Sequence, residues 1–104
     1  MAPPEAEIVV DAPLEEAWSA LTDPDALSIW FGAEVELDPE PLGRGTFHFP
    51  DGTERFAIVE EVDAPHRLAW RWWPAGDRGA ATRVAIDLEA VDDDTRVTVV
   101  ETAA

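Results

Sequence analysis

Residues 8–32 read IVVDAPLEEAWSALTDPDALSIWFG, and this stretch contains the only helical pattern in the chain. Glu7 to Asp11 is a short β-branched run with the composition of a strand. Pro13 suits the start of a helix, because its fixed φ fits the first turn and its missing N–H would be unpaired there. Glu15 and Glu16 then place negative charge where the helix dipole favours it. Leu14, Ala17, Trp18 and Leu21 recur at the spacing of one helical face. Thr22-Asp23-Pro24-Asp25 stops that helix and starts a second, with a capping residue, a proline and an early acid. Leu27, Trp30 and Phe31 continue the apolar face to Gly32, which ends the element. The two helices are thus expected to present Trp18, Trp30 and Phe31 to whatever lies beneath them.

Everything after Gly32 reads as β-structure. Residues 33–38 form a loosely alternating strand, and Pro39 to Gly43 a loop. Thr46 to Phe49 is a strand with Phe47 and Phe49 on one face and His48 on the other, closed by an Asp51-Gly52 hairpin turn. Residues 54–62 make the next strand, with Phe56, Ile58, Glu60 and Val62 expected inward. Arg67 to Trp72 alternates with Leu68, Trp70 and Trp72 on one face, and residues 73–79 read as a flexible loop. Thr82 to Ala90 puts Val84, Ile86 and Leu88 inward, Asp92-Asp93-Asp94 turns the chain, and Thr95 to Glu101 is the last strand. A strand, two short helices and six further strands joined by tight turns make an antiparallel meander of about seven strands, an α+β fold.

Composition narrows the function. The 104 residues are read as one domain spanning positions 1–104, long enough to bury roughly 60–70% of the unfolded surface in one modest core. The absence of cysteine excludes disulfides and thiolate metal sites. The N-terminal MAPPEAEIVV lacks the basic and apolar regions of a signal peptide, and no run approaches the ~20 apolar residues of a membrane span. A cytoplasmic location is expected. Twenty-three acids face seven arginines and no lysine, a net charge of −16. That field argues against nucleic acid and against membrane surfaces as partners. It is read either as a solubilising surface or as adaptation to high salt.

The chain resembles the START-like helix-grip superfamily, also called polyketide cyclase-like or SRPBCC. Within it, the activator of heat shock protein 90 ATPase-like family is closest. The resemblance is carried in order by Asp11-Ala12-Pro13 with Ala17-Trp18, Leu21-Thr22-Asp23-Pro24, Trp30-Phe31-Gly32 and Leu42-Gly43-Arg44-Gly45-Thr46-Phe47. It continues through residues 62–70, VDAPHRLAW, and residues 95–99, TRVTV. It implies a helix-grip-like sheet with two short helices after the first strand. It also implies a long C-terminal helix across the sheet, closing a ligand cavity. This chain ends at Ala104 directly after the last strand, so that helix is expected to be absent.

Catalytic chemistry finds little material. Ser19 and Ser28 are the only serines, both in expected helices and without a histidine nearby in sequence. His48 and His66 are the only imidazoles, on separate elements, and do not make a metal site. Glu60 is the one carboxylate expected to face inward, where desolvation would raise its pKa and suit it to acid–base work. Asp92-Asp93-Asp94 lacks the spacing of a calcium loop.

The expected function is therefore non-enzymatic binding of a small hydrophobic ligand, without cofactor or metal. Its wall would be Trp30, Phe47, Phe49, Phe56, Leu68, Trp70, Trp72, Val84 and Ile86, residues that can equally be plain core. The alternatives are a cyclase-like enzyme and a chaperone-accessory or other protein-interaction domain, which rest on the resemblance alone. With no covering helix, the apolar face is expected to be buried against a second copy, giving a homodimer. The charge makes its own prediction. Self-repulsion among −16 net charges should be relieved by screening, so the thermal midpoint should rise clearly between low salt and molar KCl. A flat response would assign the acidity to solubility alone.

Overall fold

The computed structural model describes residues 5–103, apart from the side chains of Glu5 and Trp30. The elements follow in order as β1 (Glu5–Val10), α1 (Leu14–Leu21), α2 (Pro24–Phe31), β2 (Glu34–Leu37) and β3 (Arg44–His48). Then come β4 (Glu54–Asp63), β5 (Arg67–Pro74), a 3₁₀ turn (Arg78–Ala80), β6 (Thr82–Val91) and β7 (Asp94–Ala103). The strands form one antiparallel seven-stranded sheet in the order β1-β7-β6-β5-β4-β3-β2. The expected helix-grip-like α+β fold is the observed one.

Local chemistry sets the helix boundaries. Pro13 precedes α1 in an extended conformation, and Asp23 caps α2 by accepting a hydrogen bond from the Asp25 amide at 3.0 Å. Gly32 ends α2 in the left-handed region at φ 64°, a conformation that favours glycine. Two hydroxyl side chains, buried Thr95 and half-buried Ser28, then fasten the helices to the sheet. Thr95 Oγ1 donates to the Ala12 carbonyl at 2.8 Å, tying the β1–α1 turn to β7. Ser28 Oγ donates to the Pro24 carbonyl at 2.8 Å and accepts from the Val35 amide at 3.0 Å, tying α2 to β2.

The inner face of the sheet, toward the helices, is closed within one chain. Leu68, Trp70, Trp72, Val84, Ile86, Leu88 and Val97 are all at most 6% exposed, and Val99 packs half-buried against them. The face that a second copy was expected to cover is therefore already covered, and that basis for a dimer falls away. The reason is the reach of α2. The Phe31 ring stands 5.6 Å from Phe47, 5.7 Å from Trp70 and 5.7 Å from Trp72, each in edge-to-face geometry. Sheet curvature brings β3 and β5 under one short helix.

Strand β4 departs from the expected alternation. Ala57 and Val59 are buried, while Phe56 and Ile58 lie on the opposite, outer face, and Glu60 is exposed. Register shifts between Val59 and Glu61, so Glu60 is the extra residue of a β-bulge. Val62 does face the core, and counting back from it in twos across the bulge puts every earlier residue on the wrong face. On the other side of β4, Val59 bonds to the β2–β3 loop. Its amide donates to the Gly43 carbonyl and its carbonyl accepts from the Leu42 amide, both at 2.8 Å. A Cβ on Gly43 would collide with the Asp38 and Glu40 carbonyl oxygens. Phe56 and Glu60 are thus corrected from inward to outward. Trp73 is corrected too: it is not in a loop but in β5, 9% exposed.

Burial separates the two faces of β5 energetically. Trp70 is fully buried, whereas the Arg71 side chain is 52% exposed. Trp70→Ala should cost about 3–5 kcal/mol, as for other large-to-small core changes, and Arg71→Ala under about 1 kcal/mol. Urea denaturation checks this, and equal midpoints for the two variants would contradict the assigned faces.

Candidate functional site

The residues expected to form an apolar wall divide into four groups. Phe47, Leu68, Trp70, Trp72, Val84 and Ile86 come together in one buried cluster. Within it the Phe47–Trp70, Phe47–Trp72 and Trp70–Trp72 ring centroids are 5.8, 5.0 and 6.2 Å apart. Phe49 lies at the margin of the cluster, half-buried. Phe56 is on the other face of the sheet, and the side chain of Trp30 lies outside the described residues. The rings fill the space between sheet and helices, so the wall is first of all the core.

At one end of this inner face the lining turns polar. Strand pairing places Trp72 opposite Thr82 and Val84 opposite Glu101. Trp72 Nε1 donates to Thr82 Oγ1 at 2.9 Å and to Glu101 Oε2 at 2.8 Å, and the Thr82 hydroxyl donates to the same carboxylate oxygen at 2.5 Å. Arg55, opposite Phe47 on β3 and Pro74 on β5, lays its guanidinium 4.8 Å from the Trp72 ring centroid. One nitrogen of that guanidinium, Nη1, is buried without a hydrogen-bond partner, and so is Trp70 Nε1. Buried donors without acceptors are costly. The sequence reading missed Arg55, Thr82 and Glu101. Yet Thr82 stands two residues before Val84, and Glu101 two after Val99. One more step of the same alternation reaches both.

The outer face carries most of the ion pairs. Glu60 lies 3.4 Å from Arg71 and 3.2 Å from Arg83, and Glu61 lies 2.9 Å from Arg67 and 3.2 Å from Arg83. Arg67 also reaches Asp87 at 2.7 Å. Glu60 is thus held in surface pairs on the outer face, not desolvated inside. His48 faces outward as expected, 2.9 Å from Glu54, and His66 is exposed in its turn. Among the described residues no group of three or more His, Asp or Glu is arranged to hold a metal.

The hydrogen bond from Arg67 is the main reason the Glu61 carboxyl is held below its ordinary value of 4.5. A depressed carboxylate stabilises the fold above its unfolded pKa, and that contribution is lost as pH falls through the folded pKa. Glu61→Gln should therefore melt below the parent near neutral pH, with the gap closing as the pH falls below about 4.5. A gap unchanged between neutral pH and acid would show that the pair contributes nothing.

With this geometry in place, the comparisons with known proteins are decisive for kinship. Residues 11–104 match the family described as activator of Hsp90 ATPase homolog 1-like protein. The chain belongs to that family. DynU16, from the dynemicin biosynthetic locus, is 26% identical, with a TM-score of 0.83 over 99% of this chain and 38% of its own. An HSP90 activator from Plasmodium falciparum is 18% identical, with a TM-score of 0.79 over 99% of this chain and 74% of its own. The Aha1 dimer from Colwellia psychrerythraea is 21% identical, with a TM-score of 0.78 over 100% of this chain and 78% of its own. No curated protein matches the chain. The chain thus spans little more than a third of DynU16 and about three quarters of the other two.

Proposed function

We propose that this member of the Hsp90 ATPase activator-like family is a non-enzymatic, cytoplasmic binding domain for a small hydrophobic molecule. The molecule would occupy the polar end of the inner face. The observation that carries this reading is the pair of buried donors, Arg55 Nη1 and Trp70 Nε1, which have no acceptor beside an otherwise apolar aromatic cluster. A ligand with an apolar body and one carbonyl or hydroxyl oxygen would satisfy such a donor while its body packs on Trp72. Phe31 is the side chain that must give way. It is only partly buried, it comes from a short helix, and it leans on Phe47, Trp70 and Trp72 at once.

Catalysis has less support. Ser28 is committed to helix and strand bonds, and Glu60 and His48 are engaged in ion pairs on the outer face. No described helix is long and apolar enough to cross a membrane.

The neutral dye Nile red tests the reading. The parent protein should take it up saturably with a blue shift, and Phe31→Ala should bind it several-fold more tightly by opening space beside the rings. Absence of saturable uptake by both proteins would overturn the proposal.

A further inference from the structure

A second site lies on the opposite face of the sheet. Thr46, Phe56 and Trp73 stand side by side across β3, β4 and β5, with Arg44 and Ile58 paired in the neighbouring row. Together with Arg78 of the 3₁₀ turn they line a groove of about 350 Å³. Elsewhere the outer face carries Glu60, Arg71, Arg83, Asp87 and Glu89, as expected for the solvent side of an antiparallel sheet. Here the floor is instead Phe56, Ile58 and Trp73.

The charges around the groove are equally out of pattern. The chain has 23 acids for seven arginines, and Arg67, Arg71, Arg83 and Arg96 all sit within 4 Å of a carboxylate. Among the described residues Arg44, Arg55 and Arg78 have no such partner; Arg55 lies on the inner face, and the other two flank this groove. Arg78 instead stacks its guanidinium 4.6 Å from the Trp73 ring centroid, forming a wall of the groove. In so acidic a protein, two cations left without carboxylates beside an apolar floor fit an anion with an apolar body. The groove is at the small end of the roughly 300–1,000 Å³ typical of ligand pockets, which suits a small molecule better than a peptide.

We propose that this outer groove binds small planar aromatic carboxylates. The ring lies on Phe56, Ile58 and Trp73, and the carboxylate accepts hydrogen bonds from Arg44 and Arg78. The site is independent of the inner-face reading, since the two lie on opposite sides of the sheet.

Naphthoate and its neutral counterpart naphthamide are the probes, titrated into isotope-labelled protein and followed by amide, indole and guanidinium NMR signals. Naphthoate should shift Thr46, Phe56, Ile58 and Trp73 saturably. It should bind about tenfold or more tighter than naphthamide, as expected when charge-assisted hydrogen bonds are made. The double variant Arg44→Gln, Arg78→Gln changes exposed side chains and should keep the parent's dispersed spectrum while losing that preference. Phe31→Ala should leave the preference intact, which separates this site from the inner one. The proposal is overturned by equal affinity for the two probes, by unchanged preference in the double variant, by shifts confined to Phe31, Trp70 and Trp72, or by no shift at millimolar naphthoate.

Discussion

The edge of the Phe31 ring against Phe47, Trp70 and Trp72 is the contact that holds the end of α2 over the inner face of the sheet. Helices of eight residues are too short to persist alone in water, so α1 and α2 exist because the sheet holds them. The sheet in turn needs its apolar face covered, and one phenylalanine at the last position of α2 reaches three rings on two strands. Gly32 makes this possible by turning the backbone left-handed directly after Phe31. A helix one turn longer would carry the chain past the start of β2 instead of into it.

This closure decides what the inner face can do. The rings of the inner face are packed on one another, and Trp70 and Phe47 have no exposed surface. At the polar end of the face Trp72, Thr82 and Glu101 satisfy one another, and the donors that the packing leaves without acceptors are Arg55 Nη1 and Trp70 Nε1, against which the proposed ligand is placed.

Most of the fold was legible because its signals are local. The Pro13, Asp23 and Gly32 boundaries, the hairpin turns and the alternation of β5 and β6 each depend on a few adjacent residues, and each is found where the spacing placed it. What could not be read depends on contacts distant in sequence. The bulge at Glu60 is a shift in the pairing of β4 with β5, and a period-two count along one strand has no means of registering how that strand pairs with its neighbour. Phe56 was misplaced for that reason alone. Coverage of the sheet was misjudged similarly, since alternation says which residues share a face but nothing of how far the face curls. Trp73 was lost to a composition rule, because Pro74 and Gly76 mark a loop that begins only after it.

The two adjacent tryptophans of β5 show how the candidate sites follow from strand geometry. Trp72 and Trp73 point to opposite sides of the sheet, as consecutive strand residues must, and each has an arginine over its ring: Arg55 inside, Arg78 outside. Neither guanidinium pairs with a carboxylate among the described residues, whereas Arg67, Arg71, Arg83 and Arg96 are all drawn into cross-strand pairs. Exposed pairs of that kind contribute little individually, but they neutralise the arginines that take part in them. An arginine stacked on a ring keeps its hydrogen-bonding edge unspent. The end of β5 therefore offers cationic donors beside an aromatic surface on both faces of one sheet. In a chain this acidic, those are the positions where the two proposed ligands would find cationic donors beside an aromatic ring.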